Sequence, residues 1–456
     1  MQFKSLAIAD PRELTFGKSV KPIQSPRGLM IGAGKVYPEL NFTLPPMALT
    51  EETIPEVREQ YRGIVTDALQ RALDLHMEGL VLEFETLLEM TLRPKWGTEL
   101  VSIMNEICEE FYSRWGLKTE IRLTPNDTRD FERPVQMRNS KYLESMLELF
   151  EEGAWAGGTF LSIESTGGKE VCDDALITCD TKGVVFALAV LGVRDMHFLW
   201  KHIVDIARRT GTISGGDTAC GFGNTAMVLA EKKYIPRVFA AMVRIATVVR
   251  TLVAIEEGAQ GPDKDCGYEG PFLKAITGLP ISMEGKTAAC AHFSPVGNVA
   301  AAACDLWSNE SVANTKLLSG MAPTAYLEQL EYDTRLMNEA LKSGSAETLK
   351  NLFVESDIHL DPQALILAPE NVIPISQEIV SGRNPLEGAV RGAKKGMEII
   401  ESAYREGLLY LEEREVEWID RIQEDLARIP LDEDAFVSLM EPGLDPEKVI
   451  LSEYGL

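Results

Sequence analysis

The spacing of apolar and polar positions changes character along the chain. Residues 1–50 are rich in proline and glycine (Pro11, Pro22, Pro26, Pro38, Pro45, Pro46) with little periodicity, and read as an extended arm. From Thr50 the apolar residues Ile54, Val57, Tyr61, Ile64, Val65 and Leu69 recur at spacings of three and four, which predicts an amphipathic helix. Residues 98–115 continue in helical style, and SKYLESMLELFEEGA (140–154) predicts another amphipathic helix. TEIRLTPND (119–127), GGTFLSIES (157–165) and GTISGGD (211–217) read as short strands that run into polar or glycine turns. Helical stretches fill 169–210, 220–233 and 238–258, and a loop, AQGPDKDCGYEGP (259–271), precedes a further helix start. This alternation predicts an α/β protein with parallel strands, and its length suits one large barrel with extensions or two to three smaller domains. In the last 56 residues Leu408, Leu409, Val416, Ile419, Ile422 and Leu426 recur at roughly helical spacing among many carboxylates, which predicts acidic surface helices.

Charge narrows the functional classes. The chain has 456 residues, 45 Lys and Arg against 70 Asp and Glu, and a net charge of −25. Such a surface does not neutralise phosphates, so nucleic acid and anionic membranes are excluded as general partners. The acidity is uneven: residues 401–456 hold 16 acidic and 5 basic side chains (5 − 16 = −11), whereas 157–323 hold 17 and 15 (15 − 17 = −2). The acidic tail is therefore expected to lie away from the chemistry. The opening MQFKSLAIADPRELTF has no signal-peptide core, and the longest apolar run, GVVFALAVLGV (183–193), is too short to span a bilayer. Seven thinly spread cysteines, an odd number, suit free thiols in a cytoplasmic protein.

The candidate chemistry concentrates in the near-neutral middle, which holds six of the seven cysteines and 19 of the 36 glycines (Gly153 to Gly297). In parallel α/β folds, sites form on the loops at the carboxyl ends of strands. Glu164 ends the strand run TFLSIE, placed for metal ligation or acid/base work, or for capping a helix. Cys220 follows a glycine turn at a helix start, where the macrodipole favours thiolate; a small buried residue at a tight turn is the other reading. Cys266 lies in another Gly/Asp loop among Asp263, Asp265 and Glu269, which disfavour a thiolate unless a divalent cation is present. Cys172, Cys179, Cys304 and Cys108 read as packing, Cys290 is ambiguous, and Asp217 and His292 are possible proton-handling groups. There is no Cys-x-x-Cys, His-Glu-x-x-His, Walker or Gly-x-Ser-x-Gly motif. The intervals between Glu164, Cys220 and Cys266, 56 and 46 residues, suit ligands drawn from three separate loops around a catalytic zinc with one open position, among other readings.

At these residues a resemblance emerges. SIESTGGKEVCDDALI, TISGGDTACGFGNTAMVLA and GPDKDCGYEGPFLKAITGLPISMEGKTAACAHFSP followed by DLWSNESV are similar to the zinc-containing methanol:corrinoid methyltransferase family, and the likeness runs along nearly the whole chain, including FGKSVKPI and GLMIGAGKVYPELNFTLPP. It implies a TIM (β/α)8 barrel (core 116–400) with an N-terminal arm and helices (1–115) and acidic C-terminal helices (401–456). It implies zinc ligated by Glu164, Cys220 and Cys266. It also implies methanol as substrate, a partner protein whose Co(I) corrinoid accepts the methyl group, and a homodimer within a hetero-oligomer. Hydroxide is a poor leaving group, so a Lewis acid at the methanol oxygen has a clear task; two thiolates and a carboxylate would leave the zinc site at +2 − 3 = −1. Asp217, Asp263, Asp265, Glu269 and His292 are the candidate acids. Two rivals are a non-catalytic corrinoid-protein scaffold whose structural zinc is closed by Cys290 or His292, and a metal-free lyase using Lys264 or Lys286. A sibling enzyme acting on another small C1 donor is a third reading.

Overall fold

The computed structural model describes residues 2–44, 48–264, 266–311 and 315–456. Pro45 and Pro46 of the arm, and the candidate acid Asp265, lie outside the described residues.

Among the described residues, nine strands form two sheets. β1 (Lys18–Gln24) and β2 (Met30–Ala33) make an antiparallel hairpin. β3 (Tyr37–Asn41), β4 (Gly79–Glu85), β5 (Lys118–Thr124), β6 (Phe160–Ile163), β7 (Ile213–Asp217), β8 (Ser282–Glu284) and β9 (Leu306–Asn309) form one parallel sheet in the order β7-β6-β5-β4-β3-β9-β8. This is a curled α/β sheet wrapped by helices, with seven strands described rather than the eight of a full barrel. Residues 259–264 run beside β7: the Gln260 and Gly261 amides donate to Ser214 and Gly215 carbonyls at 2.7 and 2.8 Å. On the other side the Ser282 amide of β8 donates to the Asp263 carboxylate at 3.0 Å.

Two boundaries differ from expectation. Residues 1–115 are not only arm and helices, because they contribute β3 and β4, neighbours within the parallel sheet. In β4, Leu80, Leu82 and Phe84 pack into the outer core, whereas Val81 packs with the residues that close one end of the sheet. That alternation is what pins β4 into the wall. The acidic tail also differs. Its helices Glu413–Ala427 and Glu433–Met440 bury Ile419, Ile422, Leu426 and Phe436 and keep most of their charge outward. Yet Tyr454 is buried, and its hydroxyl accepts the Gly168 amide at 3.1 Å, so the tail returns to the loop behind Glu164.

The predicted helix from Thr50 forms over Ile54–Asp74, and all six apolar positions of its stripe are buried. Pro55 sits in its first turn, where a missing N–H costs nothing. Two helical stretches, Thr181–Thr210 and Arg237–Glu257, are long and apolar enough to cross a membrane, but both are core helices, with 83% and 94% of their 18-residue apolar windows buried. The first contains a π-helical turn at Ala187–Gly192. Gly168, at φ 83°, packs onto that turn; a Cβ there would stand 2.5 Å from the Ala187 carbonyl oxygen.

The sheet encloses layers. At the amino-terminal end of the strands an apolar plug of Tyr37, Val81, Phe160 and Leu306 is completed by Leu29 and Ile31 of the hairpin. Above it lies a polar layer. Arg122 donates from Nε to Glu39 at 2.5 Å, and from one terminal nitrogen to Ser162 Oγ at 2.8 Å and the Pro262 carbonyl at 2.9 Å. Ser282 Oγ donates to the same Glu39. A buried charge pair with every partner in place fixes geometry more than it adds stability. The candidate chemistry lies at the opposite, carboxyl end.

Candidate metal centre

Three loops converge at that end. Glu164 directly follows β6, and its backbone bridges to Asn126 in the loop after β5. Cys220 opens the helix Cys220–Glu231 just past β7. Cys266 lies in the turn between 259–264 and the helix Gly270–Thr277. The ligand atoms of Glu164, Cys220 and Cys266 all lie within 4.8 Å of one another, and Cys266 Sγ is 3.0 Å from Glu164 Oε1.

The two sulfurs lie in direct contact, with Cα atoms 5.4 Å apart. Cys108, Cys172, Cys179, Cys290 and Cys304 each stand apart from any other cysteine. Two sharp loops carry the cysteines to one point from opposite sides, and the spacing of 46 residues conceals this. As thiolates, the two sulfurs offer two soft donors beside one carboxylate, a donor set that fits zinc.

The surroundings hold the loops rigidly. Ser165, next to Glu164, donates from Oγ to Asp217 at 2.7 Å, and Arg250 donates to the Ser165 carbonyl and Oγ at 2.5 and 2.6 Å. Trp200 Nε1 donates to the same Asp217 oxygen at 2.8 Å. Burial raises the Asp217 carboxyl pKa, and the nearby Arg250 charge and these hydrogen bonds oppose that. Asp217 thus braces Ser165; both its oxygens are engaged by Ser165, Trp200 and Arg250. The Thr166 amide donates to Asp127 at 2.8 Å, and Asp127 is clamped by Arg129. Around Cys266, the Gly267 amide donates to Thr218 Oγ1 at 2.7 Å, and Arg244 donates to the Gly267 carbonyl. A Cβ on Gly267 would stand 1.9 Å from Glu269 Oε2, so only glycine fits there. Glu269 accepts from the Ala219 amide at 2.7 Å and Thr251 Oγ1 at 2.8 Å, tying the Cys266 loop to the one bearing Cys220.

Of the candidate acids, Asp263 and Glu269 accept backbone amides and act as loop ties. His292 lies past β8, its Nε2 3.4 Å from Asn224 Nδ2 and 3.9 Å from Glu284. Burial, then the Arg244 charge, lowers its pKa. The sequence offered Lys264 only as the amine of a metal-free lyase. The structure buries it to 2% exposure, with Nζ 3.0 Å from Glu164 Oε1, 3.2 Å from Glu83 and 3.8 Å from Glu85. The available signal was its place two residues before Cys266, on the segment that lines the sheet. Lys286 pairs with Asp333 at 2.9 Å. Neither lysine is the unpaired amine that a Schiff base needs.

Glu164 lines a cavity of about 400 Å³ together with Glu85, Thr124, Asn126, Asp127 and Asp130. A second cavity of about 580 Å³, lined by Lys286 and Cys290 among others, adjoins it at Thr43. In the first, burial and then the Asp127 charge push the Asp130 pKa up to about 6. A carboxyl raised from its unfolded value costs no stability below about pH 4, and the cost grows until the pH passes its folded pKa. Asp130→Asn is therefore expected to stabilise the protein by about 1–3 kcal/mol at pH 7 and by nothing at pH 4, as read from urea unfolding at both values. Equal effects at the two pH values would contradict this.

Comparison with known proteins agrees with this geometry. The family model for the methanol-cobalamin methyltransferase B subunit matches residues 1–454. A methanol–corrinoid protein co-methyltransferase from Methanosarcina barkeri is 38% identical over 440 residues, covering 96% of this chain and 95% of that protein. The crystal structure of the methanol:cobalamin methyltransferase complex MtaBC from Methanosarcina barkeri contains a chain with a TM-score of 0.95 at 37% identity, covering 100% of this chain and 99% of that one. With its strand-end carboxylate and paired cysteines set in that fold, the chain belongs to the methanol-cobalamin methyltransferase B subunit family.

Proposed function

We propose that the protein is a zinc-dependent methyltransferase that takes the methyl group of methanol and delivers it to the Co(I) corrinoid of a partner protein. The observation that carries this reading is the meeting of Glu164, Cys220 and Cys266 at the strand ends of a chain in this family. Zinc held by these three would supply a Lewis acid for the methanol oxygen, easing departure of a poor leaving group. The chain's own residues do the rest. Lys264 fixes the Glu164 carboxylate and offsets the carboxylates beside it. The braces at Ser165 and Gly267 prevent the loops from drifting, which matters because displacements near 1 Å cost large factors in rate. The two cavities offer the open face on which a corrinoid domain can seat. We read 259–264 as the eighth wall that completes the barrel, and the assembly as a homodimer joined to corrinoid subunits.

The structural-zinc scaffold requires a fourth protein ligand. Among the described residues no fourth His, Cys, Asp or Glu joins the cluster, and His292 Nε2 faces Asn224. This favours a site with an open position. The test is a zinc assay on reduced protein combined with methanol-dependent formation of methyl-cobalt on a Co(I) corrinoid protein. About one zinc per chain, with transfer lost on chelation, is expected; full transfer by zinc-free protein would overturn the reading.

A further inference from the structure

We propose that Asn224 is a positioning residue for the metal, its one amide nitrogen touching all three of the loops that bear Cys220, Cys266 and His292. Asn224 stands one helical turn beyond Cys220, so its side chain lies over the same face of the helix Cys220–Glu231. Its Nδ2 donates to the Cys266 carbonyl at 2.7 Å and approaches Cys220 Sγ at 3.6 Å and His292 Nε2 at 3.4 Å.

The orientation of this amide is determined by its neighbours. The Cys266 carbonyl accepts and cannot donate, so the nitrogen, not the oxygen, must face it. That leaves the second N–H for the sulfur of Cys220 and the ring of His292. Asn224 is only 2% exposed, yet its Oδ1 has no hydrogen-bond partner among the described residues. A buried amide oxygen left unpaired is costly, because it has given up its water without gaining a donor. A side chain serving only to fill space or cap a carbonyl would not need to retain that penalty; leucine has the same size without it. The uncompensated oxygen is explained if both donors are committed to the site.

The role follows from these contacts. Bound to the Cys266 carbonyl and directed at the Cys220 sulfur, the amide fixes the separation of the two thiolates independently of the metal. Donors aimed at a ligand sulfur also draw off part of its negative charge. Outer groups of this kind change metal affinity by about 10- to 100-fold when removed.

The inference rests on the zinc reading above, and the experiment separates the two. Full-length wild type, Asn224→Ala, Asn224→Asp and Cys220→Ala are reduced and loaded with zinc. Zinc release to a chromogenic chelator is timed, and the thiolate-to-cobalt absorption band is recorded after Co(II) substitution. Asn224→Ala is expected to release zinc about 10-fold faster or more and to shift the band. Asn224→Asp should be worse, because it sets a carboxylate oxygen against a carbonyl and a thiolate. Should the alanine variant fail to fold, Asn224→Ser carries the same expectation. Release rates and spectra equal to wild type in the folded variants would overturn the proposal. Wild type and Cys220→Ala holding equal zinc would overturn the zinc reading itself, and this inference with it.

Discussion

Cys220→Ala is expected to lose its zinc and to transfer methyl groups from methanol at least about 1000-fold more slowly than wild type, a barrier increase of about 4 kcal/mol. Three side chains hold the metal in this reading, and Cys220 is one of two thiolates, so its removal leaves a carboxylate and one sulfur, too few for a tight site. The loss is chemical rather than structural, because Cys220 sits at a helix start with a small side chain and the helix remains anchored by buried Phe222, Ala226, Met227 and Ala230. Metal analysis and cobalt–methyl spectroscopy on the same sample measure both effects. Cys179→Ala is the control: that thiol is free and lines neither cavity, and its loss should change the rate less than twofold. The closeness of the Cys220 and Cys266 sulfurs adds a second arm, because an oxidant would join them. Oxidised wild type should behave like the variant and recover on addition of a thiol reductant and zinc. Full activity in Cys220→Ala, or in oxidised protein, would remove this pair from the chemistry.

Arg129→Met should produce the largest change in stability, about 3–5 kcal/mol. Arg129 is fully buried and donates to Asp127 at 2.6 and 2.8 Å and to Asp195 at 2.8 and 2.9 Å. Removing it leaves two buried carboxylates with no cation between them. The pH dependence has a definite sign. Burial pushes the Asp127 carboxyl up, but the Arg129 charge and hydrogen bonds outweigh it and hold the pKa low. That stability is present above the unfolded value near 4 and is lost as pH falls through the folded one. For Asp195 burial prevails and the pKa is raised despite Arg129. In the variant both carboxyls rise further, so its deficit should be greatest at neutral pH and shrink on acidification. Urea unfolding at pH 7 and pH 4.5 reads this directly. Because Asp127 also accepts the Thr166 amide, two residues past Glu164, the variant should lose zinc more readily as well.

Different physical signals made different parts of the molecule legible in the sequence. The stripe at Ile54, Val57, Tyr61, Ile64, Val65 and Leu69 was readable because one helix face meets the core and the other meets water. β5, β6 and β7 were readable because polar or glycine turns follow them. β3, β8 and β9 have three to five residues each, too short to show a period, and β3 follows a proline-rich arm. β4 turns Glu83 and Glu85 inward, reversing the usual rule that charge marks the outside. For the same reason the part Lys264 plays beside Glu164 was hidden: it looks like a loop lysine until Glu83 and Glu164 are seen to surround it. The three side chains at the strand ends were reachable from position and residue type. That Cys220 and Cys266 touch was not, because their contact depends on loop curvature set by Thr218, Gly267 and Glu269.

The apolar plug formed by Tyr37, Val81, Phe160, Leu306 and the hairpin gives the enclosed space a floor. Traffic from that side is blocked. A substrate entering, a leaving group departing as water and a large macrocycle arriving at the same opening cannot pass independently. With the corrinoid subunit seated over that end, as in the function proposed above, methanol would have to enter before the subunit closes, and water would leave after it lifts. Raising the concentration of the corrinoid partner should therefore slow turnover once it outpaces methanol entry, a form of inhibition set by architecture.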